Sequence, residues 1–151
     1  DIHLGFEVGT AMELAYFAGL FDGEGSIQIT KETHRDDHHR NPVYCLRIDL
    51  SLIHRSPILR LKGFFKAGWI SRRVHNYKGR VVWYWGAKGE QACRVLEALL
   101  PYLHIKKPQA EIGIAFHRGK TVPRNRRLNG EDLHFREMMR ETLREERAIL
   151  V

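Results

Sequence analysis

Phe17-Ala18-Gly19-Leu20-Phe21-Asp22-Gly23-Glu24-Gly25, followed at once by Ser26-Ile27-Gln28-Ile29-Thr30, is the stretch that decides the fold. Upstream, Thr10-Ala11-Met12-Glu13 reads as a capping box, with Thr as cap and Glu three residues on. Glu13 to Asp22 then runs without a breaker, and Gly23-x-Gly25 is a helix terminator. Ser26 to Thr30 alternates polar and apolar, the pattern of a half-buried strand. Along the helix, small residues recur at Ala15, Ala18, Gly19 and Asp22-Gly23. Spacings of three and four place them on one stripe, where two backbones can approach closely. The partner is either the chain's own sheet or a second copy. Asp22 and Glu24 stand at the negative end of the helix, beside its unpaired carbonyls, where acids are disfavoured. Carboxylates and free carbonyls together suit a hard cation. A two-fold pairing of the stripe brings two Glu24 side chains together, tolerable when divalent cations lie beside them.

The rest of the chain extends this pattern. His34 to Asn41 is a polar loop. In Tyr44 to Leu52, Tyr44, Leu46, Ile48, Leu50 and Leu52 face one way, and Arg47, Asp49 and Ser51 the other. Ser56-Pro57 starts a helix that ends near Gly68. Trp69–His75 and Arg80–Trp85 are strands joined by the turn Asn76-Tyr77-Lys78-Gly79. Gln91–Leu100, Pro108–His117 and Glu131–Leu150 are helices, the last one charged and largely water-facing. The expected class is α+β: an αββαββα core with a four-stranded antiparallel sheet, helices on one face, and an extra C-terminal helix. The sheet's other face is polar and open.

Composition bounds the function. The 151 residues suit one domain, 1–151, able to bury roughly 70% of its unfolded surface without a staple. Hydrophobic residues at 43% and charged residues at 28% exclude a disordered or collagen-like chain. No apolar run approaches the ~18 residues of a membrane span, and Asp1 to Thr10 lacks a signal peptide's pattern, so the expectation is an intracellular protein, in cytoplasm or organelle. Lys and Arg total 25 against 18 acids, a net charge of +7 that favours a polyanion such as nucleic acid. Cys45 and Cys93 have no CxxC partner and read as reduced core residues. His34, His38 and His39 lack ligand spacing and read as loop residues.

Residues 17–25 resemble the LAGLIDADG motif of the homing endonucleases. Ala18, Gly19, Leu20, Asp22 and Gly25 match it; Phe17 and Phe21 are apolar substitutes, Gly23 replaces Ala, and Glu24 replaces Asp with the same charge. One motif copy and the length suit the single-motif branch. That resemblance implies a homodimer through the motif helix, with Ala15, Ala18, Gly19 and Asp22 at the interface. It implies that Glu24 binds the catalytic divalent metal, Mg²⁺, with the Gly23 carbonyl as a further ligand, and that Asp22 serves the helix end and interface. Pro101-Tyr102-Leu103-His104-Ile105-Lys106-Lys107-Pro108-Gln109-Ala110 resembles the family's linker before a long helix, which makes Lys106 an active-site lysine, with Lys107 as its competitor. His54 falls where the family carries a polar residue after the second strand, and there it organises water or acts as a weak base. Arg55 and Arg60 are candidates for phosphate or active-site contact.

The implied function is a site-specific DNA endonuclease making a metal-dependent double-strand break in a long, near-palindromic target in double-stranded DNA. The alternatives are an RNA maturase that assists intron splicing, with intron RNA as partner, and a non-cleaving DNA-binding regulator. A two-stranded ribbon fits the major groove. The reading face by alternation is Ser26, Gln28, Thr30 and Glu32; Arg47, Asp49 and Ser51; Ser71, Arg73 and His75. Arg47 and Arg73 suit guanine, and Gln28 suits adenine. The register of the fourth strand is open, because Val81 to Trp85 is apolar on both faces; Trp83 and Trp85 pack either on DNA or in the core. Arg118, Lys120, Arg124, Arg126 and Arg127 form a basic stretch suited to the phosphate backbone.

Overall fold

Alternation along the strands decides which way the sheet faces. The computed structural model describes residues 8–37, 39–75 and 79–149. In chain order the elements are α1 (Val8–Glu24), β1 (Gly25–Glu32), β2 (Val43–Leu52), α2 (Arg55–Phe65), β3 (Trp69–His75), β4 (Arg80–Lys88) and α3 (Gly89–Leu99). A 3₁₀ turn (Leu100–Tyr102), α4 (Lys107–Gly119) and α5 (Gly130–Ile149) follow. The sheet is antiparallel with order β1-β2-β4-β3. Two hairpins therefore lie side by side, with β2 and β4 central. The turn expected at residues 76–79 lies, apart from Gly79, outside the described residues, as does His38.

Ile27, Ile29, Tyr44, Leu46, Ile48, Leu50, Trp85 and Ala87 point to the helices and are buried. They form one cluster with Leu14, Phe17, Ala18 and Phe21 of α1 and with the inner faces of α2 to α4. Burying such side chains contributes about 1.5–3 kcal/mol each, which outweighs any single local preference. α1 illustrates this. It already includes Val8, so Thr10 lies within the helix and does not cap it. A capping box is worth about 1 kcal/mol, less than the burial of Leu14, Phe17, Ala18 and Phe21 that holds α1 on the core. α1 also continues to Glu24, so Gly23 and Glu24 belong to its last turn and the corner falls at Gly25. A Cβ on Gly25 would sit 2.6 Å from the Phe21 ring and 2.7 Å from its carbonyl oxygen, so only glycine makes this corner.

α2 starts at Arg55 with His54 as its cap, earlier than Ser56-Pro57 suggests. Pro57 still falls in the first turn, where helical N–H groups have no partner in any case. The register of β4 is resolved: Trp85 is buried and donates its indole N–H to the Ala67 carbonyl at 3.0 Å. Trp83 pairs with Leu52 and Arg72 on the helix side, so neither tryptophan reaches the open face. α5 is largely water-facing, as expected, yet it also contributes to the core. It buries Leu143, packs Leu133 and Met139 against the core, and lies on α4 and β1. Among the described residues, no helix is long and apolar enough to cross a membrane.

Candidate active site and nucleic-acid interface

The acid at the wrong end of α1 has a partner 82 residues away. Asp22 accepts the main-chain N–H groups of His104 (2.9 Å), Ile105 (3.1 Å) and Lys106 (2.9 Å). These residues lead into α4, so the carboxylate sits at the positive end of that helix. In return, Lys106 Nζ donates to the main-chain oxygen of Asp22 at 2.6 Å. Burial pushes the Lys106 ammonium below its ordinary value, opposed by the charges of Asp22 and Glu24 and reinforced by Arg147. Lys106 is half-buried and held; Lys107 is exposed.

Glu24 is exposed at the end of α1 and near enough to act on Lys106 by its charge. Gly23 is exposed beside it, with no atom of its surroundings within 4 Å of a Cβ built there. His54 is exposed, and its side chain caps nothing on α2. Arg60 is engaged elsewhere, paired with Glu13 at 2.6 Å, and Arg55 stacks 5.2 Å from the Trp83 ring. Among the described residues, no three His, Cys, Asp or Glu side chains converge as a metal cluster.

The small-residue stripe divides between two faces. Ala18 is fully buried in the chain's own core, so it does not lie on an outward interface. Asp22 is half-buried and spent on the α4 approach. Ala15, Gly19 and Gly23 do turn outward, together with Met12 and Tyr16, at 69% and 41% exposure. Gly19, like Gly23, has open space beside it. Residues 15 and 19 share a face at a spacing of four, whereas 18 sits about 60–100° round from them and meets the sheet.

The open sheet face carries the polar set expected of it. Ser26, Gln28 and Thr30 stand opposite Asp49, Arg47 and Cys45; Ser51 and Ser71 flank Tyr84; Arg73 faces Val82 and His75 faces Arg80. Glu32 ends β1 opposite Val43. Thr30 donates its hydroxyl to the Cys45 carbonyl at 3.2 Å, and the Gln28 amide reaches Asp49 at 3.4 Å. Two arginines are braced on aromatic rings: Arg47 lies 5.4 Å from Trp69 and Arg73 4.8 Å from Tyr84. They border a shallow cavity of about 130 Å³ with Asp49 and Ser71. Arg47 Nε is buried without a hydrogen-bond partner, 4.0 Å from Asp49. Trp69 lies flat across β4 because Gly86 makes room: a Cβ there would sit 2.6 Å from the indole ring.

The basic stretch is less free than its composition implies. Arg118 pairs with Glu90 at 3.0 Å and with Glu97, joining α4 to α3. Arg126 pairs with Asp132 at 2.9 Å, ahead of α5. Lys120 reaches the Tyr44 carbonyl at 3.5 Å. Arg124 and Arg127 are exposed. Unpaired acids on neighbouring helices capture cations that a sequence window shows alone.

Trp69 and Tyr84 of the reading face, and Gln109 and Arg147 beside Lys106, escaped the sequence reading. Alternation from Arg73 and Ser71 back to Trp69 carried the signal for the first. Gln109 and Arg147 gave none, since their meeting depends on how α4 and α5 pack.

No family model matches the chain, and no curated protein matches it by sequence. Solved structures do match it. The homing endonuclease I-CvuI, in complex with its target in the presence of calcium, has a TM-score of 0.65 at 17% identity, over 88% of this chain and 98% of that one. The archaeal intron-encoded homing endonuclease I-Vdi141I, complexed with DNA, gives 0.73 at 14% identity, over 90% and 84%. The LAGLIDADG meganuclease I-AabMI, bound to uncleaved DNA, gives 0.61 at 20% identity, over 84% of this chain but 43% of the other. With its motif at the end of α1, facing the start of α4 beside an open polar sheet, the chain has the fold of the LAGLIDADG homing endonucleases.

Proposed function

We propose that this protein is a DNA endonuclease that acts as a homodimer, each copy cutting one strand of a near-palindromic duplex. The observation that carries the reading is that Glu24 lies within reach of the Lys106 charge at the end of a helix whose outward face is left open at Ala15, Gly19 and Gly23. Paired through that face, two copies place two Glu24 carboxylates near one axis and align two sheet faces along one groove.

The donors present, an exposed carboxylate and helix-end carbonyls, are oxygen only, and Mg²⁺ needs just one or two carboxylates besides water and phosphate. Glu24, with the Gly23 carbonyl, would hold it. When bound, such an ion neutralises charge on the phosphate and acidifies water for hydrolysis. Lys106 holds its proton at Nζ and is fixed in direction by the Asp22 carbonyl; from there it stabilises negative charge developing on the phosphate oxygens. His54 stands free to order water. Arg47 and Arg73, braced on Trp69 and Tyr84, read base edges, and Arg124 and Arg127 serve the backbone.

The test is incubation with Mg²⁺ and a plasmid carrying the host locus, alongside a solution mass. Metal-dependent linearisation and a particle of about 35 kDa, twice 17.7 kDa, are expected. Binding of intron RNA without cutting would replace this reading with the splicing helper, and duplex binding without cutting would replace it with a regulator.

A further inference from the structure

A cavity of about 290 Å³ opens between α1, β1, α4 and α5, lined by Asp22, Gly25, Ser26, Lys106, Gln109 and Arg147. Two cations converge on it from elements far apart in sequence: Lys106 from the approach to α4, and Arg147 from the last turn of α5. The one carboxylate on its wall, Asp22, has its oxygens occupied by three main-chain N–H groups. Among the described residues, Arg147 Nη2 reaches only the Ser26 hydroxyl, at 3.4 Å. Gln109, a polar residue only 3% exposed, also lines the hollow. A buried polar side chain is retained where something pairs with it. Like charges facing a shared hollow are likewise stabilised when an anion stands between them.

We propose that Arg147, with Lys106, Gln109 and Ser26, forms a pocket for one phosphodiester group of the nucleic-acid backbone, immediately beside the Glu24 end of α1. The donors suit that ligand. The guanidinium pairs with two phosphate oxygens, the ammonium adds a point charge, and the amide and hydroxyl supply directed N–H and O–H bonds. The inference rests on the duplex-binding reading above and extends it: α5, additional to the αββαββα core, carries a ligand-binding side chain into the site. Pairing with the phosphate fixes one backbone position relative to Glu24 and Lys106, which sets the register of cutting.

Two measurements test it. In the first, inorganic phosphate is titrated into the full chain, and the side-chain amide of Gln109 is followed by ¹⁵N nuclear magnetic resonance. A saturable shift is expected, lost in Arg147→Gln and weakened in Arg147→Lys. In the second, duplex binding is measured in chelator across a salt series. For Arg147→Gln the slope of log K against log salt is expected to fall by about 0.9, one phosphate contact. Arg147→Lys keeps the slope. A role of Arg147 confined to stabilising the end of α5 would shift the melting temperature and leave both readouts unchanged, and that result would overturn the proposal. A phosphate response with an unaltered duplex slope also overturns it, since the pocket then takes the free anion and not the backbone. Should the native chain bind no duplex at all, the endonuclease reading fails, while the phosphate titration still judges the pocket.

Discussion

Asp22 and Lys106 are bonded in both directions: the carboxylate of the first accepts the backbone N–H of the second at 2.9 Å, and the ammonium of the second donates to the backbone oxygen of the first at 2.6 Å. The pair closes the end of α1, where Glu24 stands exposed, onto the start of α4.

Asp22→Ala removes three charge-assisted hydrogen bonds and frees the α4 approach. A destabilisation of about 2–4 kcal/mol is expected, a fall in melting temperature of about 5–15 °C. Asp22→Asn keeps part of the geometry and is expected to lose less. Thermal unfolding followed by circular dichroism checks both; an unchanged midpoint for the alanine variant contradicts the clamp.

Glu24→Gln leaves the fold intact, because Glu24 is exposed. It removes the anionic oxygen ligand, and cleavage is expected to drop by about 1000-fold or more, the order of several kcal/mol that a bound metal contributes. Duplex affinity in chelator is expected to hold. Plasmid linearisation and gel retardation on the same preparation separate the two, and retained cutting removes Glu24 from its role.

Arg47→Gln is expected to relax discrimination at one base pair by about 1–3 kcal/mol, the worth of a bidentate guanine contact. Trp69→Ala leaves the guanidinium but takes away the ring that directs it, for a smaller loss of about 0.5–1 kcal/mol at the same position. Binding to a panel of single-base variants of the target checks this. Loss spread evenly over all positions would make Arg47 a backbone contact.

His117 first, and then Arg118, hold the Glu90 carboxyl well below its ordinary value, at about 2. The stabilisation they provide is therefore complete above pH 4.5 and disappears as pH falls from there toward 2. Glu90→Gln is expected to flatten this part of the stability–pH curve. At neutral pH it costs less than about 1 kcal/mol, since the side chains of Glu90 and Arg118 lie half in solvent. Urea denaturation at a series of pH values reads the difference; parallel curves for the two proteins contradict it.

What could be read from the chain beforehand followed from periodicity and from one motif. Alternation in Tyr44–Leu52 and Ser26–Thr30 placed every side chain of those strands on its proper face, because one face is buried and a slip by one residue would reverse it. β4 resisted the same treatment, since Trp83 and Trp85 face the helices while the open side holds Tyr84 and Val82, leaving no contrast to read. Ala18 and Ala15 are the same residue type at close spacing, and only packing separates the buried one from the exposed one. The pairings of Arg118 with Glu90, of Asp22 with residues 104–106 and of Arg147 with Ser26 join positions 28 to 121 residues apart. Nothing local announces such contacts; they follow from tertiary packing.

α5 meets β1 on both sides of the sheet: Glu137 pairs with Lys31 next to Tyr44, and Arg147 touches Ser26 on the open side. The helix thereby shields one rim of the sheet from adding a foreign strand. The opposite rim, β3, defends itself with Arg72 and Arg73, cations that repel an identical neighbour. A chain shortened before Gly130 would thus bare the hydrogen-bonding rim of β1, charged only at Lys31 and Glu32 near its end, and clumping during expression would be its first symptom.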